Sequence, residues 1–594
     1  MKKHFLILAF PICLLPSAFV HAQLSYTQVT SSGLSACTFE MGLTEIELGD
    51  VDGDGDLDIV SIGDHGSPTI NATEGGVMVW KNNGTGTSWS YSKSGAFGYG
   101  GMALGDVNND GKMDIGYAMH HNYSGVDFGD QLIEVALGNG TGNLWTPYDD
   151  SLATNGETYG MFGVDFADVN NDGLLDLASN SFGCCSGIHI YKNDGNGHWT
   201  QTDGANAGNS HEWVKFGDFN NDGKVDLLTA NELGVIWSNN GSGFFSSMET
   251  GFTGDYWAEF DVADVNNDGA KDFGIVSSNG DAKVWYYDKS QAKWISISNG
   301  LPQSGCIGIE LDDMDMDGNI DAIIWNAGFV VIYKGDGVGN WVQAGSFTIP
   351  ETQLASFRTG DLDHDGYPDI VYMAKTSQSN SDNYLRVYLH TVNNPVLNIL
   401  PINPKGYECF APGSIQFLNW QSSVPPGPNA AVTIEFSSAG ASGPWTTVAS
   451  NLPNNGTYQW TVPSVNSPNC FLKFTITNGS NTQTVVTANA FGIGTCTNPP
   501  PTGVEENSAL SGFDVYPNPM NAEGYVHFQL EKSLDVKVTI SDAVGKEVSV
   551  LINKNLSAGS YNPRILVENL EPGIYFCSLT ADGKISVQKI VVVK

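Results

Sequence analysis

Seven short segments share an aspartate-rich pattern that could bind a metal ion. Each reads D-x-[DN]-x-D-G-x-x-D, so positions 1, 3, 5 and 9 place short oxygen-bearing side chains around one turn. Calcium takes about six to eight hard oxygen ligands, and glycine at position 6 permits the sharp bend that such a loop requires. The candidate calcium ligands are Asp50, Asp52, Asp54 and Asp58; Asp106, Asn108, Asp110 and Asp114; Asp168, Asn170, Asp172 and Asp176; Asp218, Asn220, Asp222 and Asp226; Asp264, Asn266, Asp268 and Asp272; Asp313, Asp315, Asp317 and Asp321; and Asp361, Asp363, Asp365 and Asp369.

Two further positions of the loops indicate which atoms bind the ion and which type of calcium loop this is. Position 7 ranges from Lys112 to Leu174 and Tyr367, which is expected if only its backbone carbonyl binds the ion. An EF-hand needs glutamate at position 12, but the loops carry uncharged residues there, such as Ser61 and Tyr372. A solvated acidic turn would explain one such segment. Seven complete copies favour up to seven bound Ca²⁺ ions, and we expect a chelator to lower the melting temperature sharply.

The formal net charge of −39 limits the classes of partner. A charge of this sign and size argues against binding to nucleic acid or to anionic membranes. Cations bound in the loops would neutralise part of it.

The sequence around each loop predicts four strands per unit. An alternating strand such as VKFGD precedes the loop, and an apolar strand such as DLLTAN follows it. A third strand often ends in an aromatic residue, and a glycine-rich turn leads to a fourth. The loops begin 46 to 62 residues apart, which is the length of a propeller blade. We therefore predict an all-β fold whose first domain, over 23–393, is a seven-bladed β-propeller.

The two ends of this domain predict how the ring closes. The seventh unit reaches a third strand, YLRVYLH, but has no fourth strand after it. The segment from Leu24, LSYTQVTSSG, resembles the fourth strands of other units. Residues 24–30 are therefore expected to complete the last blade and remove an open sheet edge.

These units resemble FG-GAP/VCBS repeats, which form the propeller of integrin α-chains and occur in many bacterial surface proteins. The resemblance covers roughly 24–393, although LGD, FAD and FGD stand in for the family's FG-GAP letters. It implies a seven-bladed propeller with the calcium loops on one face, between the first and second strands. It implies no particular ligand.

Any ligand is expected on the opposite face, which long loops would build. These loops are predicted at 62–75, 119–130, 181–188 and 376–383, and they contain His65, His120, His121, Cys184 and Cys185. Ordinary surface residues are the favoured interpretation. The adjacent cysteines could form one strained disulfide or two thiols with other partners.

One register of the first strands is mostly charged. Three residues before each loop stand Glu47, Ala103, Asp165, Lys215, Asp261, Glu310 and Arg358. Because the first strands line the propeller axis, we expect these residues to ring the central channel. A lining that pairs with itself is favoured over a binding site.

Residues 395–497 change character and predict an Ig-like or fibronectin-like β-sandwich. Trp420, Trp445 and Trp460 could form a sugar-binding platform, but core packing is the favoured interpretation. One disulfide among Cys409, Cys470 and Cys496 is plausible, with its pairing open.

A proline-rich linker at 498–511 leads to a last domain over 512–594. This domain resembles the C-terminal sorting domain of the type IX secretion system of Bacteroidota. The resemblance rests on Tyr516-Pro-Asn-Pro519, on Pro572-Gly573-Ile574-Tyr575 and on the basic C-terminal strand. It implies handling by the type IX machinery, followed by secretion or attachment to the outer membrane.

The first 22 residues read as a signal peptide, with two lysines, an apolar segment and cleavage after Ala22. After its removal no segment is apolar for long enough to span a bilayer. The mature protein is therefore expected to be exported.

Two functions fit these features. The favoured one is non-catalytic binding or adhesion to a carbohydrate or surface polymer, and the alternative is a polysaccharide lyase or hydrolase on a propeller scaffold. We find no GxSxG or HExxH motif, and the aspartates that stand out belong to the loops. His211-Glu212-Trp213 is the most enzyme-like cluster, but a structural role is favoured for it. No catalytic residue, and no cofactor besides calcium, is predicted.

Overall fold

The computed structural model shows an all-β protein. It describes residues 24–30, 33–34, 45–62, 76–95, 100–119, 132–153, 161–181, 187–202, 210–231, 236–248, 260–376, 383–391, 395–425, 430–495, 510–516, 520, 523–530, 532–542, 547–566, 570, 572–581 and 584–593. The predicted signal peptide, the adjacent cysteines Cys184 and Cys185, and His65, His120 and His121 lie outside these residues. Within the described ranges, no helix has the length and apolar character needed to cross a membrane.

Seven four-stranded antiparallel sheets form the blades of a propeller. The first strand of the chain is β1 (Tyr26–Gln28), and blade one contains β2 (Ile46–Gly49), β3 (Asp58–Ile62), β4 (Val77–Asn82) and β5 (Trp89–Ser94). Blade two contains β6 (Met102–Gly105), β7 (Asp114–Ala118), β8 (Ile133–Gly138) and β9 (Trp145–Pro147). Blade three contains β10 (Met161–Ala167), β11 (Asp176–Ser181), β12 (Ile188–Asn193) and β13 (Trp199–Thr202). Blade four contains β14 (Ser210–Gly217), β15 (Asp226–Asn231), β16 (Ile236–Asn239) and β17 (Phe245–Ser247), and blade five contains β18 (Asp261–Ala263), β19 (Asp272–Val276), β20 (Ala282–Asp288) and β21 (Lys293–Ser296). Blade six contains β22 (Cys306–Asp312), β23 (Asp321–Asn326), β24 (Phe329–Gly335) and β25 (Trp341–Thr348), and blade seven contains β26 (Gln353–Gly360), β27 (Asp369–Lys375) and β28 (Asn383–His390).

The N-terminal strand completes blade seven, which confirms the predicted closure of the ring. Strand β1 pairs antiparallel with β28, with Tyr26 opposite His390. The sheet order is β1-β28-β27-β26, so the outermost strand of the last blade comes from the start of the chain. The edge that β28 would otherwise expose is therefore paired.

Apolar second and third strands bury the interfaces between blades. All five residues of β3 are buried, and so are all six of β23. Trp80 and Trp325, from the third strand of blade one and the second strand of blade six, are fully buried. Each such side chain contributes roughly 1.5–3 kcal/mol relative to exposure, so these strands stabilise the ring through packing.

Residues after the propeller form a β-sandwich. One sheet contains β29 (Asn398–Asn403), β31 (Ile415–Ser423) and β34 (Thr457–Thr461), and the other contains β30 (Cys409–Phe410), β32 (Ala431–Ser437), β33 (Thr446–Pro453), β35 (Ser467–Asn478), β36 (Asn481–Val486) and β37 (Phe491–Ile493). Trp420 and Trp460 are only 3% and 5% exposed, which confirms core packing for these two. The Lys473 ammonium lies 4.8 Å from the ring centroid of Trp445.

Two of the cysteines predicted to pair can be assigned. Cys409 is engaged in a disulfide, whereas Cys470 is a buried free thiol. Cys496 lies outside the described residues. The predicted disulfide therefore does not involve Cys470.

The propeller and the sandwich belong to one compact unit, Met1–Asn498, whereas Pro499–Lys594 forms a second unit. The second unit contains two sheets, built from β38 (Leu510–Tyr516), β39 (Glu523–Leu530), β42 (Gly559–Tyr561) and β43 (Arg564–Leu566), and from β40 (Leu534–Asp542), β41 (Glu547–Leu556), β44 (Gly573–Ala581) and β45 (Lys584–Val592). Apolar residues of both sheets, including Phe528 and Ile540, form its core.

Candidate cation sites and the axial channel

The seven loops share one hydrogen-bonding scheme. The glycine N–H at position 6 donates to the position-1 carboxylate at 2.7–3.0 Å, in the pairs Gly55–Asp50, Gly111–Asp106, Gly173–Asp168, Gly223–Asp218, Gly269–Asp264, Gly318–Asp313 and Gly366–Asp361. The N–H at position 7 likewise donates to the position-5 carboxylate at 2.9–3.1 Å. The backbone thus holds both carboxylates against the same turn.

Position 4 of every loop adopts a left-handed backbone, a feature that the sequence reasoning missed. Its φ values are 76° for Gly53, 59° for Asn109, 60° for Asn171, 51° for Asn221, 59° for Asn267, 57° for Met316 and 61° for His364. Asparagine and glycine tolerate this conformation better than other residues. The doubled asparagine of the NNDG loops was the available signal.

Position 9 has a structural role beside its predicted ligand role. All seven aspartates at this position are fully buried. In five loops the carboxylate accepts N–H groups from both position 2 and the third strand, the donors being Val51 and Asn82 for Asp58, Val107 and Gly138 for Asp114, Val169 and Asn193 for Asp176, Met314 and Gly335 for Asp321, and Leu362 and His390 for Asp369. These aspartates therefore tie each loop to its own blade.

Several loops offer oxygen atoms that suit a hard cation. Among the described residues, three loops bring three carboxylates within 4.8 Å of one another, as Asp50, Asp52 and Asp58, as Asp313, Asp315 and Asp321, and as Asp361, Asp363 and Asp365. At the predicted ligand positions, five buried oxygens accept no hydrogen bond within the described structure, namely Oδ1 of Asp52, Asn220, Asp272, Asp315 and Asp361. A buried oxygen without a partner is costly, and calcium binds such oxygens. The donor set therefore fits calcium.

Burial and repulsion between neighbouring carboxylates raise the pKa of several loop aspartates and so disfavour their charged forms. Burial, reinforced by neighbouring aspartates, raises the pKa of Asp58 to about 8 and that of Asp321 to about 9. The pKa of Asp365 rises to about 7 from the same two causes. A divalent cation would favour the charged forms and remove this penalty.

Lysines supply part of the positive charge beside the loops. Lys112 lies 2.7 Å from Asp110, and Lys224 lies 3.1 Å from Asp222. Lys334 contacts Asp317 at 2.9 Å, and it also pairs with Asp315. Sequence reasoning missed Lys334 because its partners belong to another segment of the blade.

Four of the charged residues before the loops form ion pairs among themselves, as the self-paired interpretation predicts; they are Glu47, Lys215, Glu310 and Arg358. Glu47 lies 3.1 Å from Lys215 and 2.8 Å from Arg358, and Arg358 lies 2.6 Å from Glu45. The Asp165 carboxylate accepts the N–H of the neighbouring blade's Phe216 at 2.6 Å. These side chains are therefore committed to holding the inner strands together.

The β-sandwich covers the face of the propeller that carries the loops. A cavity of about 490 Å³ remains between the two domains, lined by Glu47, Asp165 and Lys215 of the channel and by Glu408 and Gln416 of the sandwich. The Glu408 carboxylate accepts the N–H groups of Lys405 and Gly406. The loop face is thus a domain interface.

The most enzyme-like cluster of the sequence is described only in part. The backbone of His211 and Glu212 lies in β14, but their side chains fall outside the described residues. Trp213 is 5% exposed and packs with Phe260 and Trp294 in the core.

Two family models match the chain. The FG-GAP-like repeat matches residues 42–117, 181–229 and 313–372, and the secretion system C-terminal sorting domain matches 514–593. No curated protein matches the sequence.

Solved structures similar to this chain share little sequence with it. An Agrocybe aegerita lectin that recognises non-reducing terminal N-acetylglucosamine is 19% identical, with a TM-score of 0.36, over 51% of this chain and 79% of its own. U3-55K is 11% identical, with a TM-score of 0.37, over 62% of this chain and 99% of its own. Saccharomyces cerevisiae Sqt1 is 13% identical, with a TM-score of 0.35, over 68% of this chain and 99% of its own.

The sorting domain indicates export by the type IX system to the cell surface or the medium. The chain is thus an exported β-propeller protein that carries FG-GAP-like repeats and a secretion system C-terminal sorting domain.

Proposed function

We propose that this protein is a non-catalytic binding protein whose propeller is braced by up to seven Ca²⁺ ions. The observation that carries the calcium proposal is the set of five buried oxygens, all at ligand positions of the loops, that lack a partner in the described structure. Three of them, in Asp52, Asn220 and Asp315, are the side-chain oxygens of position 3. A side-chain oxygen that lacks a partner at the same position of several loops is expected if a cation with oxygen ligands binds there.

The side chains at positions 1, 3 and 5 would hold the ion, together with the position-7 carbonyl and, where it can be shared, the position-9 carboxylate. Bound calcium would supply charge neutralisation and no reaction chemistry. The chain's own contribution is orientation, because N–H groups at positions 6 and 7 already aim the carboxylates of positions 1 and 5. Such a site stabilises the folded state by an amount that grows with the logarithm of the calcium concentration once that concentration exceeds the dissociation constant.

Binding is favoured over catalysis by the state of the channel. An active site needs an acid, base or nucleophile that is free to meet a substrate. Lys215 and Arg358 are instead both paired with Glu47, and Glu47 and Lys215 line the cavity beneath the sandwich. For a protein exported to the cell exterior, we propose a carbohydrate or surface polymer as the ligand.

The test uses the full chain on a glycan and polysaccharide array, with calcium and with a chelator, beside a depolymerisation assay on the same polymers. The proposal expects calcium-dependent binding without product. Release of oligosaccharides that is lost in a Glu212→Gln variant would overturn it in favour of a polysaccharide-degrading enzyme. Absence of binding to every polymer would overturn the proposed ligand class.

A further inference from the structure

All seven loops contact the β-sandwich. The contacts are Asn455 Nδ2 to Asp50 at 3.4 Å, Gln459 Nε2 to the Asp106 carbonyl at 2.9 Å, Ile415 N–H to Asp168 at 3.0 Å, Asn221 Nδ2 to the Tyr407 carbonyl at 2.8 Å, Lys405 Nζ to Asn267 at 3.3 Å and to the Gly318 carbonyl at 2.9 Å, and Val424 N–H to the Asp365 carbonyl at 3.2 Å. A domain that rested on the propeller by chance would not engage one homologous turn in every blade.

We infer that the cation loops are the docking platform of the sandwich, and that calcium in the loops keeps the sandwich seated over the channel. This inference rests on the proposed calcium binding and adds a partner surface to it. The partner is the chain's own residues 395–495, and the surface is the ring of seven loop tips.

The contacting atoms lie at or between the ligand positions of the loops. Asn221 and Asn267 occupy position 4, Asp365 offers its position-5 carbonyl, and Gly318 offers its position-6 carbonyl. A cation held by positions 1, 3, 5 and 7 would fix the backbone between them. Without the cation, crowded carboxylates repel one another and the tip loses its restraint, so the docking surface loses its shape.

The chemistry of the two surfaces is complementary. The sandwich presents donors to the ring, as Ile415 and Val424 do with backbone N–H groups and Gln459 with its amide. The loops present mainly carboxylate and carbonyl acceptors. Lys405 adds a positive charge that bridges the tips of loops five and six.

Close approach at position 6 offers a clean way to disturb the interface. A Cβ on Gly366 would lie 1.3 Å from the Ser422 carbonyl oxygen of the sandwich. A Cβ on Gly318, in the neighbouring loop, would have nothing within 4 Å. Both glycines are left-handed, with φ of 96° and 89°, so alanine strains both loops alike and only Gly366→Ala collides with the sandwich.

The experiment measures amide hydrogen exchange by mass spectrometry on the full chain, in the peptides that contain Ile415 and Val424. In saturating calcium, Gly366→Ala is expected to speed exchange of the Val424 peptide by about tenfold or more, and Gly318→Ala by less than about twofold. Equal effects of the two variants would overturn the docking platform.

The calcium arm compares the wild-type chain in calcium and in a chelator. Removal of calcium is expected to speed exchange at both peptides by about tenfold, while peptides from β35, in the sandwich core, keep their protection. Unchanged exchange at Ile415 and Val424, in a chain that calorimetry shows to bind calcium, would overturn this inference and leave the calcium proposal standing. Loss of protection in β35 as well would mean unfolding of the sandwich and would overturn undocking. A chain that binds no calcium would overturn both proposals.

Discussion

The Lys215 ammonium lies 3.1 Å from the Glu47 carboxylate, although the two residues belong to blades four and one. Arg358 of blade seven approaches the same carboxylate at 2.8 Å. Burial alone would raise the pKa of Glu47, but the charges of Arg358 and Lys215 outweigh it and hold that pKa at about 2. One carboxylate therefore joins three blades across the axis.

Replacing Glu47 should change how stability depends on pH. The folded pKa of about 2 is below the ordinary value of 4.5, so this carboxylate stabilises the fold above about pH 4.5, and its contribution is lost as pH falls towards 2. Glu47→Gln should lower the free energy of unfolding at pH 7 by about 3 kcal/mol, because it removes the carboxylate that Lys215 and Arg358 share in a buried site. Urea unfolding between pH 7 and pH 3 measures this, and the difference between wild type and variant should shrink towards the acid end.

Glu435→Gln provides the matched control for that experiment. Glu435 pairs with Lys473 at the partly exposed surface of the sandwich, where such a pair contributes about 1 kcal/mol or less. Equal losses in the two variants would contradict a special role for the channel pair.

Asparagine at positions 9 and 3 of loop one should separate structure from metal binding. Asp58→Asn should destabilise the protein by about 1–3 kcal/mol even in a chelator, since the Asp58 carboxylate accepts N–H groups from Val51 and Asn82. Asp52→Asn should leave stability in chelator nearly unchanged and weaken only the gain from calcium. Thermal melts of both variants, with and without calcium, test this. If the Asp58→Asn variant were as stable as the wild type in chelator, the structural role of Asp58 would be contradicted.

The left-handed backbone at position 4 predicts that a substitution in loop six can stabilise the protein. Met316→Asn places at φ 57° the residue type that four other loops use there, and should stabilise the protein by up to about 1 kcal/mol. The reverse change in loop three, Asn171→Met at φ 60°, should destabilise it by a similar amount. Denaturant midpoints measure both, and effects of the same sign would refute the backbone explanation.

The repeated parts of this protein could be predicted from the sequence because each copy of a motif supports the interpretation of the others. Seven loops in one register predicted the blades, and the unpaired third strand near His390 predicted closure by residues around Tyr26. The charged register predicted a channel lining, although not that Glu47 would pair with both Lys215 and Arg358.

Contacts between unlike segments could not be predicted in the same way. The hydrogen bond from Ile415 to Asp168 joins residues 247 positions apart, and nothing in the segment around Ile415 marks it as the partner of a loop aspartate. The double role of Asp58 was hidden because a ligand and a backbone acceptor require the same carboxylate. Most of the long loops predicted for the opposite face, at 62–75, 119–130, 181–188 and 376–383, lie outside the described residues.

Calorimetric titration of the chelator-treated full chain with calcium, followed by thermal melting of the same samples, tests whether the seven loops bind calcium. We predict heat of binding that saturates at up to seven equivalents, a melting temperature that rises with calcium, and a weaker effect of magnesium, which demands stricter geometry. No heat of binding and an unchanged melting curve would contradict the assignment of the loops as calcium sites.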